Sequence, residues 1–561
     1  MTSSIPPGLI LILGAFAIPF LNGRARSGWV LLLPLATLAM VWGVPDATSL
    51  SIPFLDYQLN LVRGDSLGRL FATIFALMAF GGGLFALNQK HTTELVAAFV
   101  YGGSAIGVAL AGDLITVFVF WEIMAVASTL VIWTAGTEAS RKASMRYIQI
   151  HLLGGVLLMI GIAAHVADTG SAEFTAMTPN SFATWLILAG FLINAGAPPL
   201  SAWLPDAYPE ASWSGTVFLS AFTTKTAVYV LLRGFPGADI LIWVGMFMIF
   251  YGIIYALLEN DMRRILAYSI INQVGFMLTG IGIGTEMALN GAAAHAFTHI
   301  IYKALLLMSA GSVIYMTGGK RKCTDLGGLF QSMPLTALCG IIGALAISAF
   351  PLTSGFISKS MISQAASDQH MLYVWLGLAA ASAGVFLHAG IKFPWFVFFQ
   401  KDSGLRPADP PNNMRLAMIF FAILCIGLGV YPDPLYALLP YSVDYVPYTG
   451  SHVVSQLQLL LFSGLAFFLL LPLMKRTLTI TLDVDILYRK FLRWLFTHLC
   501  NLICGLDDRF RRAFVYYFLR GVRFIEQHHG PDSLLARTTS SGSMAFWVVL
   551  LLGAYLIVYF I

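Results

Sequence analysis

Charge is the scarcest feature of this sequence. Its 561 residues hold 32 Lys and Arg and 27 Asp and Glu, 11% in all, where ordinary soluble domains carry about 25%. That is too little to solvate a globule of this length, so a soluble multidomain enzyme is excluded. A hydrophobic content of 58% excludes a disordered or fibrous chain. Cysteine is sparse too. Cys323, Cys339, Cys425, Cys500 and Cys504 form no CxxC and no His-paired zinc spacing, which argues against a disulfide framework, a metal site and a haem or iron–sulfur centre. No Gly-rich nucleotide loop joins a strand to a helix and no nucleophile–base pair is evident, so no cofactor and no nucleic-acid partner is expected. The N-terminus lacks a basic n-region and a small-residue cleavage site, so 7–22 reads as a retained first helix. What the sequence has in quantity is long apolar runs, the mark of a polytopic membrane protein.

Apolar stretches of about 20 residues are long enough to cross a bilayer as helices. They fall at about 7–22, 28–44, 67–86, 93–111, 114–135, 146–167, 182–204, 213–233, 237–257 and 265–285, then at 289–316, 334–360, 371–398, 413–431, 456–474 and 543–561. The expected fold is therefore all-α with about sixteen spans. With the N-terminus outside, the inside loops carry Arg24, Arg26, Lys90, Arg141, Lys142, Arg146, Arg263, Arg264, Lys320, Arg321, Lys322, Lys401 and Arg406. Segment 475–541 adds Lys475, Arg476, Arg489, Lys490, Arg493, Arg509, Arg511, Arg512, Arg520, Arg523 and Arg537. Twenty-four of the 32 basic residues thus share one side, while outside loops hold acids such as Asp168, Glu173, Glu286 and Asp368, in keeping with the positive-inside rule. Both termini are then expected outside. Within 475–541, aromatics and Leu alternate with Arg, which suits amphipathic helices on the membrane surface or, equally, a docking face for partner subunits.

Two spans contain breakers. One reads NAGAPPLSAWLPDAYPE, with Pro198 and Pro199; the other reads SAFPLTSGFISKSM, with Pro351 and Gly355. Proline removes a donor and clashes with the preceding turn, so both helices should be interrupted. Broken helices at matching places in two halves point to a transporter's ion path, and the spacing fits two five-helix units. The chain divides into N-terminal helices (1–90), a first unit (91–235), a second unit (236–400), C-terminal core helices (401–474), the basic segment (475–541) and a last span (542–561).

Few ionisable residues remain inside the spans, where each costs about 2.5–3.5 kcal/mol and is functional by default. Glu122 lies about 13 Å along its helix from Asp113, near the midplane; Asp113 suits an N-cap. Lys225, in SAFTTKTAVYVLL, is some twelve residues from either end of its expected helix. His295, His299 and Lys303 recur at i, i+4 and i+8 and share one face, a column suited to proton hopping because His titrates near neutral pH. A zinc site is the rival reading of HxxxH, but no third ligand accompanies it. Lys359 follows the second breaker, where freed carbonyls would stabilise an ammonium. His388 and Lys392 form another i, i+4 pair near the cytoplasmic end, where Lys392 either joins the line or snorkels. His151 reads equally as packing or relay.

At these residues the sequence resembles the antiporter-like family shared by Mrp-type cation/proton antiporters and the proton-pumping membrane subunits of respiratory complex I. The matching segments are VFVFWEIM, PPLSAWLPDAYPEA, TTKTAVY, ENDMRRILAYSIINQVGFM, HAFTHIIYKALLLMSAG and PLTSGFISKSMI, in order, across about 60–430. FLHAGIKFPWFVFFQKDSGLRP and Lys359 are most similar to the D-type subunit of the Mrp antiporters; the M-type complex I subunit usually carries Glu at the latter place. The resemblance implies a fourteen-helix core with two inverted five-helix repeats. It also implies Glu122 paired with a channel lysine, Lys225 and Lys303 as proton carriers, and Lys359 as outlet of the second half-channel. One departure stands out: the family usually has Lys before the first breaker, where this sequence has Asn194. Either Lys225 partners Glu122 instead, or the first half-channel conducts poorly. The expectation is a proton-translocating subunit of a multisubunit Na+/proton antiporter in a bacterial inner membrane, with other integral membrane subunits as partners. Its rivals are the pumping arm of a complex I-like or hydrogenase redox complex, an energy-coupling subunit for inorganic carbon uptake, and a scaffold that has lost conduction.

Overall fold

The computed structural model describes residues 5–54, 57–472, 483, 486–531, 533, 536 and 540–561. Lys475, Arg476 and Arg537 lie outside them. The chain parts into two units, Met1–Val484 and Asp485–Ile561.

The first unit opens with α1 (Pro7–Ala15) and α2 (Gly23–Trp42). Next comes α3 (Ser66–Phe85), then α4 (Thr92–Leu110), α5 (Leu114–Trp133), α6 (Glu138–Thr169) and α7 (Phe182–Ala195). Two short helices, α8 (Trp203–Ala207) and α9 (Gly215–Leu219), precede α10 (Thr223–Gly234). Long helices α11 (Ile240–Leu258), α12 (Met262–Ile283) and α13 (Glu286–Met316) follow. The unit ends with α14 (Pro334–Ile347), α15 (Ser354–Asp368), α16 (Leu372–Val385), α17 (Asn412–Val430), α18 (Asp433–Tyr436) and α19 (Gly450–Leu470). The second unit holds α20 (Arg493–His529) and α21 (Ser541–Phe560).

Among the described residues thirteen helical stretches are long and apolar enough to span a membrane, and three shorter apolar helices, Pro7–Phe20, Phe182–Ala195 and Pro334–Ile347, occupy the remaining expected positions. Two of those three are short for a physical reason. Helix α7 stops at Ala195 because Gly196 takes a left-handed conformation (φ 77°) just ahead of Pro198 and Pro199, a glycine C-cap. Helix α14 stops at Ile347, and the chain crosses Ala349, Pro351 and Leu352 before α15 begins. Ala349 and Leu352 both hold positive φ there, a strained arrangement for residues with a Cβ.

Three features depart from the sequence reading. A β-hairpin, Ser49–Phe54 against Tyr57–Arg63, lies between α2 and α3 and pairs Ser49 with Arg63 and Phe54 with Tyr57. Arg141, Lys142 and Arg146 sit on the first turns of α6 rather than in a loop, and Arg146 grips Asp206 through two bonds of 2.7 and 2.9 Å. Arg263 is buried in the first turn of α12 and donates to the Ala211 carbonyl at 2.6 Å. These basic residues tie separate elements of the bundle together.

The most enclosed spans are 215–234, α12 and α13. Helices α11 and α12 approach backbone to backbone: a Cβ on Gly245 would meet the Gly275 carbonyl at 2.5 Å, and one on Gly275 would meet the Gly245 carbonyl at 2.6 Å. Small residues are what allow such contact between membrane helices. Gly275→Leu is therefore expected to cost about 1–3 kcal/mol by overpacking, measured as a fall in thermal-melting temperature in detergent. Gly427→Leu, with nothing within 4 Å of its Cβ position, should melt like the parent protein.

Candidate functional site in the membrane interior

The span that carries Lys225 is not one helix. It breaks between Leu219 and Thr223, so Lys225 lies two residues into a new helix rather than at mid-helix. Its Nζ donates to the freed Ser220 carbonyl at 2.6 Å and to Thr224 Oγ1 at 3.0 Å. The Tyr101 hydroxyl accepts the Thr223 N–H at 2.8 Å and meets Thr223 Oγ1 at 2.6 Å. Tyr147 joins the same group, 3.0 Å from Ser128 Oγ and 3.3 Å from Thr223 Oγ1. The density of hydroxyls in SAFTTKT was the available signal for this third break, since Ser and Thr satisfy the groups that an interrupted helix releases.

Lys359 follows the same rule at the second breaker. Its Nζ donates to the Ile347 carbonyl, the last residue of α14, at 2.7 Å, and lies 4.9 Å above the Phe276 ring. Gly355 permits this return of the chain, because a Cβ there would lie 1.9 Å from the Ala346 carbonyl. Lys392 sits in π-helical turns that continue α16, over Phe386–Lys392, a geometry common at functional sites. It does not snorkel. Its ammonium is buried and donates to the carbonyls of Ala256, Leu257 and Glu259 at 3.2, 2.6 and 2.5 Å, at the end of α11.

The α13 column shares one buried face. His295 is fully bonded, Nδ1 to Ser358 Oγ at 3.0 Å and Nε2 to Gln273 Oε1 at 3.1 Å. His299, 6.2 Å away between ring centroids, is wholly buried with neither nitrogen bonded. Lys303 donates to Ser269 Oγ. His388 Nδ1 meets the Gly384 carbonyl at 2.8 Å, and His151 Nδ1 meets the Tyr147 carbonyl at 2.9 Å. A carbonyl only accepts, so both rings carry their proton on Nδ1, and both leave a buried Nε2 unbonded.

Glu122 leans over bare helix: a Cβ on Gly155 would fall 2.0 Å from its Oε1, a buried atom without a hydrogen-bond partner. The implied pairing with a channel lysine is not formed, because Lys225 reaches the carbonyl of its own break. Among the described residues Glu122 has no ion-pair partner. Asn194 flanks the neighbouring Gly154, wholly buried, with both amide atoms unbonded. Asp113 caps α5 through the Thr116 N–H at 2.7 Å. Among the described residues no three His, Cys, Asp or Glu side chains are grouped to hold a metal. Beside Lys359 the structure opens a cavity of 240 Å³, which no sequence pattern announced.

Lysines anchored at helix breaks, beside a carboxylate and a histidine column, suggest comparison with ion-path proteins. Residues 111–386 match the family described as NADH:quinone oxidoreductase/Mrp antiporter, TM. The chain belongs to that family. Its Glu122, Lys225, Lys303 and Lys359 lie inside the matched stretch, and His388 and Lys392 lie just beyond it. The chain is 29% identical to the D-type subunit of the Na(+)/H(+) antiporter of Alkalihalophilus pseudofirmus, over 65% of this chain and 80% of that protein. It is also 29% identical to the A/B-type subunit of a probable K(+)/H(+) antiporter of Rhizobium meliloti, over 68% of this chain, spanning 41% of that larger protein. Its fold resembles a chain of the Mrp complex from Dietzia sp. DQ12-45-1b, with a TM-score of 0.68 and 21% identity, covering 84% of this chain and all of that one. The protein is thus an antiporter-like, multi-pass membrane subunit of the Mrp/complex I family.

In this family member the Lys225 break depends on Tyr101. Tyr101→Phe leaves the buried Thr223 N–H without its acceptor, a loss of about 1–3 kcal/mol, expected as a lower melting temperature in detergent.

Proposed function

We propose that the chain is the proton-translocating membrane subunit of a multisubunit monovalent cation (Na+)/proton antiporter. The observation that carries this reading is the way the buried lysines are held. Lys225 and Lys359 donate to backbone carbonyls at helix breaks, and Lys303 to a hydroxyl. A carboxylate partner would lock an ammonium in its charged form. A carbonyl or hydroxyl accepts from –NH3+ and, more weakly, from –NH2, so each amine keeps a partner in both protonation states.

The same interior also holds groups that need water. A buried polar atom without a partner costs about 1–3 kcal/mol, and Glu122, Asn194, His151, His299 and His388 each present at least one. Water bridging these atoms would form the wire along which protons pass from the Glu122 side through Lys225 and the α13 column to Lys359. Asn194 cannot carry a proton, so the first half depends on Glu122, His151 and the hydroxyls around Thr223. The partners in this reading are other integral membrane subunits, with the complex in a bacterial inner membrane and both termini outside. A second reading, the pumping arm of a redox complex, is favoured by the family description, which joins the two classes.

Reconstituted in its complex, Glu122→Ala and Lys225→Ala are each expected to abolish cation-dependent proton flux; wild-type rates in both would sink the reading. Asn194→Lys should change the flux, and an unchanged rate would take position 194 off the path. Orientation has its own test. Cys500 and Cys504 are exposed on α20 whereas Cys323, Cys339 and Cys425 are buried, so an impermeant maleimide should label the protein from the cytoplasmic face alone.

A further inference from the structure

The cavity beside Lys359 has a neighbour. A larger one, of 810 Å³, is lined by Glu286 of α13, Asp368 of α15 and Asp444 and Tyr445 of the segment before α19. Those acids belong to loops and helix ends expected outside, which makes this space an acidic vestibule. Trp375, His452 and Ser455 line both cavities and so form the wall between Lys359 and the vestibule. Of the three, only the histidine ring carries a basic nitrogen that can take up a proton and hand it on.

His452 is held in one pose. Its ring stacks on Phe356 of α15, with centroids 4.6 Å apart and an interplanar angle of 21°. Its Nδ1 lies 2.8 Å from the Pro447 carbonyl. A carbonyl only accepts, so Nδ1 keeps its proton in either charge state and Nε2 is the basic atom of the neutral ring. The other titratable groups facing the two cavities are Lys359, Glu286, Asp368, Asp444 and Tyr445.

We propose that His452 is the outlet relay between Lys359 and the acidic vestibule, working through Nε2. The proton leaves Lys359, reaches Nε2 to give the imidazolium, and departs from the same nitrogen toward the vestibule carboxylates. No ring flip is needed, because the Nδ1–H bond to Pro447 persists throughout. This inference rests on the proton-path reading above.

The test uses the assembled complex in proteoliposomes. His452→Gln, which keeps size and hydrogen bonding without titrating, is expected to slow proton flux at least about tenfold, as removal of a positioned proton carrier does. Millimolar imidazole should restore flux in His452→Ala and leave Lys359→Ala inactive. Wild-type flux in His452→Gln, with Lys359→Ala and Glu122→Ala both dead, would overturn the relay alone; wild-type flux in all three would overturn the path itself. Should the histidine variants fail to assemble, Ser455→Cys in a Cys500→Ser, Cys504→Ser background reads the same wall. An impermeant methanethiosulfonate added outside should block flux there, and indifference to it would remove the wall from the outlet.

Discussion

A helix that stays whole inside a bilayer offers a lysine nothing to hold, because each carbonyl is already taken by the amide four residues on. At Lys225 and Lys359 this protein resolves that conflict by breaking the helix. The break between Leu219 and Thr223 frees the Ser220 carbonyl for Lys225, and the break after Ile347 frees that residue's carbonyl for Lys359. Lys392 closes the carbonyl end of α11. The dependence runs both ways, since a carbonyl released in hydrocarbon also costs free energy, though far less than an unpaired ammonium. At these two breaks the lysine and the freed carbonyl satisfy each other, whereas Lys303, within the unbroken α13, is held by the Ser269 hydroxyl, and the break after Ala195 has no lysine.

The two halves of the interior are built from similar parts and finished differently. Around Lys359 the second half has a fully bonded His295, a glycine that lets the broken helix fold back, and an adjoining cavity. The first half has Asn194, wholly buried with both amide atoms unbonded, and among the described residues the Glu122 carboxylate rests on Gly155 without a partner. Its polar continuity comes from hydroxyls, with Tyr147, Ser128, Thr223 and Tyr101 joined in sequence. The second unit stands apart in chemistry. Helix α20 runs 37 residues, about 55 Å, and Arg509, Arg512, Arg520 and Arg523 recur along one of its faces, a pattern open to a lipid surface or a protein partner.

The composition and the order of apolar runs were sufficient to establish a polytopic helical protein, its span positions and the stranded charges, because a bilayer penalises every misplaced polar group. Pro198, Pro199 and Pro351 announced two interruptions by removing donors. The identities of Glu122, Lys225, His295, His299, Lys303 and Lys359 as candidate site residues were equally legible, since little else charged lies within the spans. Partners were not. The third break, the hairpin, the binding of Lys392 to three carbonyls and the separation of Glu122 from Lys225 depend on which helices meet. A one-dimensional pattern records the cost of a buried charge and says nothing of what satisfies it. Only the tertiary structure brings the end of α14 to Lys359, lays Glu122 on Gly155 and sets His452 between two cavities, because those contacts join residues far apart in the chain.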